Sequence, residues 1–162
     1  MTWPAAEADV LTTIPTDGVL TYVEGLHVGH RRYDRDGIDP LFPFGHGLGF
    51  STWEVRQAQG QSTGDAGITI TATLRNTGER PSSTVLQAYL SKPESTLERP
   101  LRWLAGFATA ACPPGEQTTV EIAIPRRSFE HWDQSWVTED GPFIVELGLS
   151  SSDLRISIQV TP

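Results

Sequence analysis

A two-residue alternation constrains this chain more than any other feature. Ile68, Ile70, Ala72 and Leu74 fall on one side of an extended backbone and Thr69, Thr71, Thr73 and Arg75 on the other, before Asn76, Thr77 and Gly78 end the run. Successive side chains of a strand point to opposite faces, so the segment has one apolar face to bury and no helical stripe. The pattern returns in Leu86, Ala88 and Leu90 against Gln87, Tyr89 and Ser91, and in Val120, Ile122 and Ile124 against Glu121 and Ala123. Phe143, Val145, Leu147 and Leu149 face one way, and Leu154, Ile156, Ile158 and Val160 do likewise beyond the serine turn at 150–152, which reads as a terminal hairpin. Seven or eight short strands, each with a single apolar face, predict two antiparallel layers over residues 51–162. Trp103, Phe107, Phe129, Trp132 and Trp136 are the large side chains expected to fill the space between them.

Residues 1–50 read differently. Apart from a short strand suggested by Val19, Leu20, Tyr22 and Val23, they hold neither period, and residues 1–20 are expected to be mobile in the isolated chain. Residues 22–50, YVEGLHVGHRRYDRDGIDPLFPFGHGLGF, are broken repeatedly by proline and glycine. Pro40 and Pro43 remove backbone donors, while Gly45, Gly47 and Gly49 admit angles that other residues resist. Such a segment takes its shape from what it packs against, and no helix is expected in it.

Twenty acidic against twelve basic residues give a net charge of −8, shared evenly between residues 1–50 and 51–162. Neither part offers the positive stripe that a phosphate backbone demands, so nucleic acid and anionic membrane surfaces are poor partners. The lone Cys112 gives no intrachain disulfide. With no basic-then-apolar leader after Met1 and no run of about 20 apolar residues, a cytoplasmic location is the expectation.

Three constellations imitate chemical sites. Glu24, His27, His30 and Asp34 have spacings that one helix face could gather around a metal, but Gly25 and Gly29 argue against that helix. Asp34, Asp36, Gly37 and Asp39 hint at a calcium loop whose later bidentate carboxylate is missing. Gly45, Gly47 and Gly49 lack the preceding strand and following helix of a phosphate loop, and read as hinge geometry. No metal and no cofactor is therefore expected. Glu130, Asp133, Glu139 and Asp140 cluster near strand ends, where charges are ordinarily solvated, and no acid/base pair is legible.

The words YVEGLHVGHRRYD (22–34) and PLFPFGHGLGFSTWE (40–54), followed by RNTGERPSSTVLQAYLSKPE (75–94), LRWLAGFATAACPPGEQTTVEIAI (101–124), WDQSWV (132–137) and GPFIVELGLSSSDLRISI (141–158), resemble the C-terminal part of family 3 glycoside hydrolases. This is the β-glucosidase and β-xylosidase family, and the resemblance covers nearly the whole chain in order. It implies an all-β, immunoglobulin-like (fibronectin type III-like) sandwich over 51–162, preceded by an irregular arm, 1–50, similar to the end of a catalytic core and its linker. His30 stands where the family usually has tyrosine, Gly49 to Ser51 replace its usual SYT, and Arg32 is a further departure.

In that family the nucleophilic aspartate and the acid/base carboxylate belong to preceding domains, so no catalytic residue is carried over. The implied function is a non-catalytic accessory module, either a truncated product or a piece that needs the rest of the enzyme. Its implied partners are the catalytic domains, in the same chain or in trans. The implied contacts are Glu24, Arg31, Asp34, Phe42, Phe44, His46, Leu48 and Phe50. The alternative is a free-standing carbohydrate or cell-surface binding module, for which Trp53 and Trp136 are the nearest stacking candidates.

Overall fold

The computed structural model describes residues 2–11 and 14–162, so the expectation for residues 1–20 is followed only outside Met1, Thr12 and Thr13. The alternating runs become strands β1 (Trp53–Ser62), β2 (Gly67–Asn76), β3 (Ser82–Ser91), β4 (Trp103–Cys112), β5 (Gln117–Pro125), β6 (Glu130–Trp132), β7 (Trp136–Thr138), β8 (Phe143–Ser150) and β9 (Asp153–Val160). One sheet has the order β1-β2-β5 and the other β4-β3-β8-β9, while β6 and β7 form a small separate ribbon. Every pairing is antiparallel, so the all-β sandwich expected from the alternation is present.

Register places the apolar faces in layers. Ile68 lies opposite Ile124 and Ile70 opposite Ile122 in the first sheet. In the second, Ala88 lies opposite Leu147, and Leu147 opposite Ile156. The core closes over Trp53, Leu74, Leu86, Phe129 and Phe143, with the Phe129 and Phe143 rings edge to face at 5.2 Å. Lys92 is buried beside them, its ammonium 4.7 Å from the Phe143 ring centre and donating to the Asp140 carbonyl at 2.6 Å.

Asn76 ends β2 and is fully buried, yet each of its polar atoms is used. Its Nδ2 donates to the carbonyls of Arg80 at 2.8 Å and Cys112 at 3.1 Å, while Oδ1 accepts from the Gly78 amide and the Ser51 hydroxyl. Asn76→Ala removes all four of these bonds at a part-buried junction. Chemical denaturation is expected to show a loss of about 3 kcal/mol.

Three expectations are corrected. Of the five aromatics assigned to the core only Phe129 is fully buried; Trp103 is half-buried, whereas Phe107, Trp132 and Trp136 are exposed. Phe107 sits on β4 opposite Gln87, whose side chain lies on the outer face, and the two tryptophans belong to the ribbon outside both sheets. Second, residues 22–50 do contain a helix, α1 (His30–Asp36). Gly29 and Gly37, the residues that argued against it or fell beyond it, are its two caps, and Gly37 at φ 63° supplies the left-handed turn that ends it.

Third, the suggested strand near Val19 amounts to a tight turn in which Thr16 and Val19 exchange backbone hydrogen bonds at 3.0 Å. Earlier residues are tied down at Trp3, whose amide donates to the Phe42 carbonyl at 2.8 Å, and at Asp9, whose carbonyl accepts from Arg32 at 2.5 Å. Among the described residues no helix is long and apolar enough to cross a membrane.

Candidate interdomain surface

The alternation of β3 predicts one wet face, but Gln87, Tyr89 and Ser91 are as buried as the core residues between them. Over Gln87 and Tyr89 the reason is the arm, which lies across the outside of the β4-β3-β8-β9 sheet as a third layer. Gln87 is the chief anchor. Its Nε2 donates to the Gly45 carbonyl at 3.2 Å and the Leu149 carbonyl at 2.8 Å, and its Oε1 accepts the Tyr89 hydroxyl at 2.5 Å. Close by, the Ser151 amide donates to the Phe44 carbonyl at 2.9 Å. Gly45 (φ 79°) comes so near the sheet that a Cβ there would stand 2.1 Å from Gln87 Oε1.

α1 seats beside this anchor. The His30 ring stacks on Phe44 with centroids 4.7 Å apart and meets Tyr89 edge-on at 6.3 Å. One turn further along, Asp34 lies 3.5 Å from Arg102, which also reaches Glu146 on β8 at 3.9 Å. Burial pushes the Asp34 carboxyl up, with Arg102 opposing it, and burial also pushes the Tyr89 phenol well up. The His30 imidazole is pushed down by burial first and then by Arg31 and Arg102.

The eight residues expected to make interdomain contacts divide into four pairs. Asp34 and Phe44 are engaged with this chain's own sheet. Glu24, ahead of α1, and Arg31, within it, are half-buried; the Glu24 carbonyl accepts the His27 amide at 2.9 Å and Arg31 reaches the Leu26 carbonyl at 3.5 Å. Phe42 and His46 stack on one another at 5.6 Å and keep outward faces. Leu48 and Phe50 project into solvent, 94% and 87% exposed. Leu48 rims a groove lined by Gly45, Gly49, Trp53, Val85, Leu149 and Arg155, and Phe50 an adjoining cleft with Gly78, Glu79 and Arg80.

Gln87, Tyr89 and Arg102 were missed as members of this surface, because alternation assigns an outer face to water unless another segment is known to cover it. Among the described residues no group of three or more His, Cys, Asp or Glu side chains could hold a metal. Of the acidic cluster, Asp133 and Asp140 are exposed as expected, while the two glutamates are paired. Glu130 pairs with Arg126 and Arg127 at 3.5 Å each, and Glu139 accepts from Ser95 at 2.8 Å and Arg99 at 3.2 Å.

Residues 84–151, from β3 to the turn after β8, match the family described as the fibronectin type III-like domain. The chain carries a fibronectin type III-like domain. The wider comparison includes the arm. The chain is 35% identical over 149 residues to a β-glucosidase of Rhizobium radiobacter, covering 89% of this chain and 18% of that protein. It is 32% identical to an exo-α-(1→6)-L-arabinopyranosidase of Bifidobacterium longum, covering 99% of this chain and 20% of the other. The crystal structure of DesR, a β-glucosidase from Streptomyces venezuelae in complex with D-glucose, superposes with a TM-score of 0.89 at 36% identity, covering 98% of this chain and 22% of that one.

Arm and fibronectin type III-like domain together thus match the C-terminal fifth of family 3 β-glucosidases. The chain spans about a fifth of the length of the curated relatives it matches. In the relatives the domain lies alongside catalytic domains.

Proposed function

We propose that this chain acts as a non-catalytic accessory module that docks on the catalytic domains of a family 3 glycoside hydrolase, in the same polypeptide or as a separate chain. The observation that carries this reading is the contrast within one short segment. Residues 44 and 45 are bound to the sheet, while Leu48 and Phe50, a few positions on, hold large apolar side chains in water. Nothing in the sandwich needs them there, and an apolar rim beside a groove is characteristic of a surface that another body covers. The similarity to regions adjoining catalytic domains supports that body being a hydrolase core.

The test mixes this chain with the catalytic portion of a family 3 β-glucosidase stripped of its own C-terminal domain. Association is expected by light scattering, and Leu48→Asp with Phe50→Asp is expected to weaken it at least 100-fold, since each buried side chain contributes about 1.5–3 kcal/mol. No association, or association indifferent to both changes, refutes the docking surface. The purified chain alone is expected to leave aryl glycosides intact; hydrolysis abolished by changing one of its carboxylates refutes the non-catalytic role.

A second reading, carbohydrate binding, draws support from the β6–β7 ribbon. Trp132 and Trp136 meet edge to face at 5.2 Å yet remain 62% and 48% exposed, with the Arg127 guanidinium 3.5 Å from the Trp136 ring centre. Trp53, the other stacking candidate, is only 7% exposed and belongs to the core. Titration with cello- and xylo-oligosaccharides decides: saturable fluorescence quenching lost in Trp132→Ala supports this reading, and a flat response removes it.

A further inference from the structure

We propose that the seating of the arm on the β4-β3-β8-β9 sheet is a proton-controlled latch, in which His30 must be neutral to lie between Phe44 and Tyr89 and uptake of a proton unseats α1 and the Phe44 turn. The ring is held between two aromatic side chains. His30 stacks flat on Phe44 at an interplanar angle of 21° and takes the edge of Tyr89, so both aromatic contacts depend on one placement of the imidazole. Its Nε2 is buried and has no hydrogen-bond partner. That ring borders a cleft of about 170 Å³ between α1, the Ile38–Pro40 turn and Ser151 and Ser152 of the β8–β9 turn. Protonation would turn that nitrogen into a charged donor served only by what this narrow cleft holds, whereas in the freed arm bulk water would solvate it fully.

The surrounding charges do not rescue the protonated ring. On its own helix are Arg31, Tyr33 and Asp34; from the turn after it comes Asp39; from the segment before β4, Arg102; from β8, Glu146; from β3, the Tyr89 hydroxyl. Asp34 and Glu146 both pair with Arg102, at 3.5 and 3.9 Å, and not with the His30 ring. Burial, Arg31 and Arg102 all act to lower the affinity of His30 for its proton.

The sign follows from linkage. The seated form binds the His30 proton more weakly than the free arm, whose imidazole titrates near its ordinary value of about 6.5. Seating is therefore complete above that value and weakens as pH falls through the window below it, by up to about tenfold per pH unit for one proton. Asp34 acts in the opposite sense: its raised carboxyl makes the seated form the better proton acceptor, which offsets the loss only as pH enters the carboxylate range.

The experiment is amide exchange on the full chain from pH 7.5 to 5, with rates corrected for intrinsic exchange, alongside an NMR titration of its four histidines. Protection of α1 and of residues 43–46 is expected to fall below about pH 6.5 while β2 and β5 stay protected. The His30 imidazole is expected to titrate below its ordinary value. His30→Tyr, which keeps an aromatic ring on Phe44 and leaves His27, His46 and His131 in place, is expected to abolish the response. Flat protection in the wild type, titration of His30 at or above its ordinary value, or an unchanged response in His30→Tyr each overturns the latch. Should the variant not fold, the wild-type titration decides alone.

Discussion

Phe143→Ala is expected to remove a large share of this chain's stability, about 3–5 kcal/mol. The ring is fully buried, contacts Phe129 edge to face at 5.2 Å and lies under the Lys92 ammonium. Removing it forfeits the transfer free energy of the side chain, leaves a cavity and takes away the partner of a buried cation. Truncation of a core phenylalanine typically costs about 3–5 kcal/mol, before the loss of the cation–π contact. Domains of this size have only about 5–15 kcal/mol in total. Denaturant titration followed by tryptophan fluorescence checks this: the midpoint should fall by a third or more, and a change under about 1 kcal/mol would show that the two sheets are not held together here.

Gly45→Val is expected to do the opposite, detaching the arm while sparing the sandwich. A β-branched residue at φ 79° is strained by about 1–2 kcal/mol, and its Cβ would collide with Gln87 Oε1. The collision also ejects the Gln87 amide from the Gly45 carbonyl and loosens its contact with the Tyr89 hydroxyl. Exchange in α1 and around residue 45 should rise about 10–100-fold, with the denaturation midpoint of the body nearly unchanged. Tyr89 gives an independent readout. Burial now holds its phenol well above the ordinary value of about 10, and uncovering it should bring alkaline titration back toward that value. If both readouts stay at wild-type levels, Gly45 is not what lets the arm approach the sheet.

The two predictions separate what the sequence makes legible from what it hides. Alternation in β2, β5 and β8 names the inward residues correctly, because each inner face is buried by another strand with the same pattern. It misjudges β3, whose outer face is covered by residues more than 40 positions away in the chain. The misplaced aromatics have a related origin. Period two says which side of a strand a residue takes but not whether that strand is central, at an edge like β4, or in a ribbon outside both sheets. α1 was hidden because seven residues make only two turns, too few for a period to emerge between two glycines. An available signal was the bracket itself, Gly29 and Gly37, with Arg32 and Asp36 one turn apart at 3.3 Å. The apolar exposed residues of the arm were legible as candidates, whereas their division into sheet-bound and solvent-facing members depends on Gln87, a residue no local pattern marks.

The segment carrying Leu48 and Phe50 is held at both feet, by Gln87 on Gly45 on one side and by Asn76 on the Ser51 hydroxyl on the other. A strap of so few residues between two fixed points has little conformational freedom to surrender when something lands on it. Recognition through it would begin from a preorganised shape, so that apolar contact converts into affinity with a small entropic toll, and cutting either tether should slow capture even though no contacting side chain has changed.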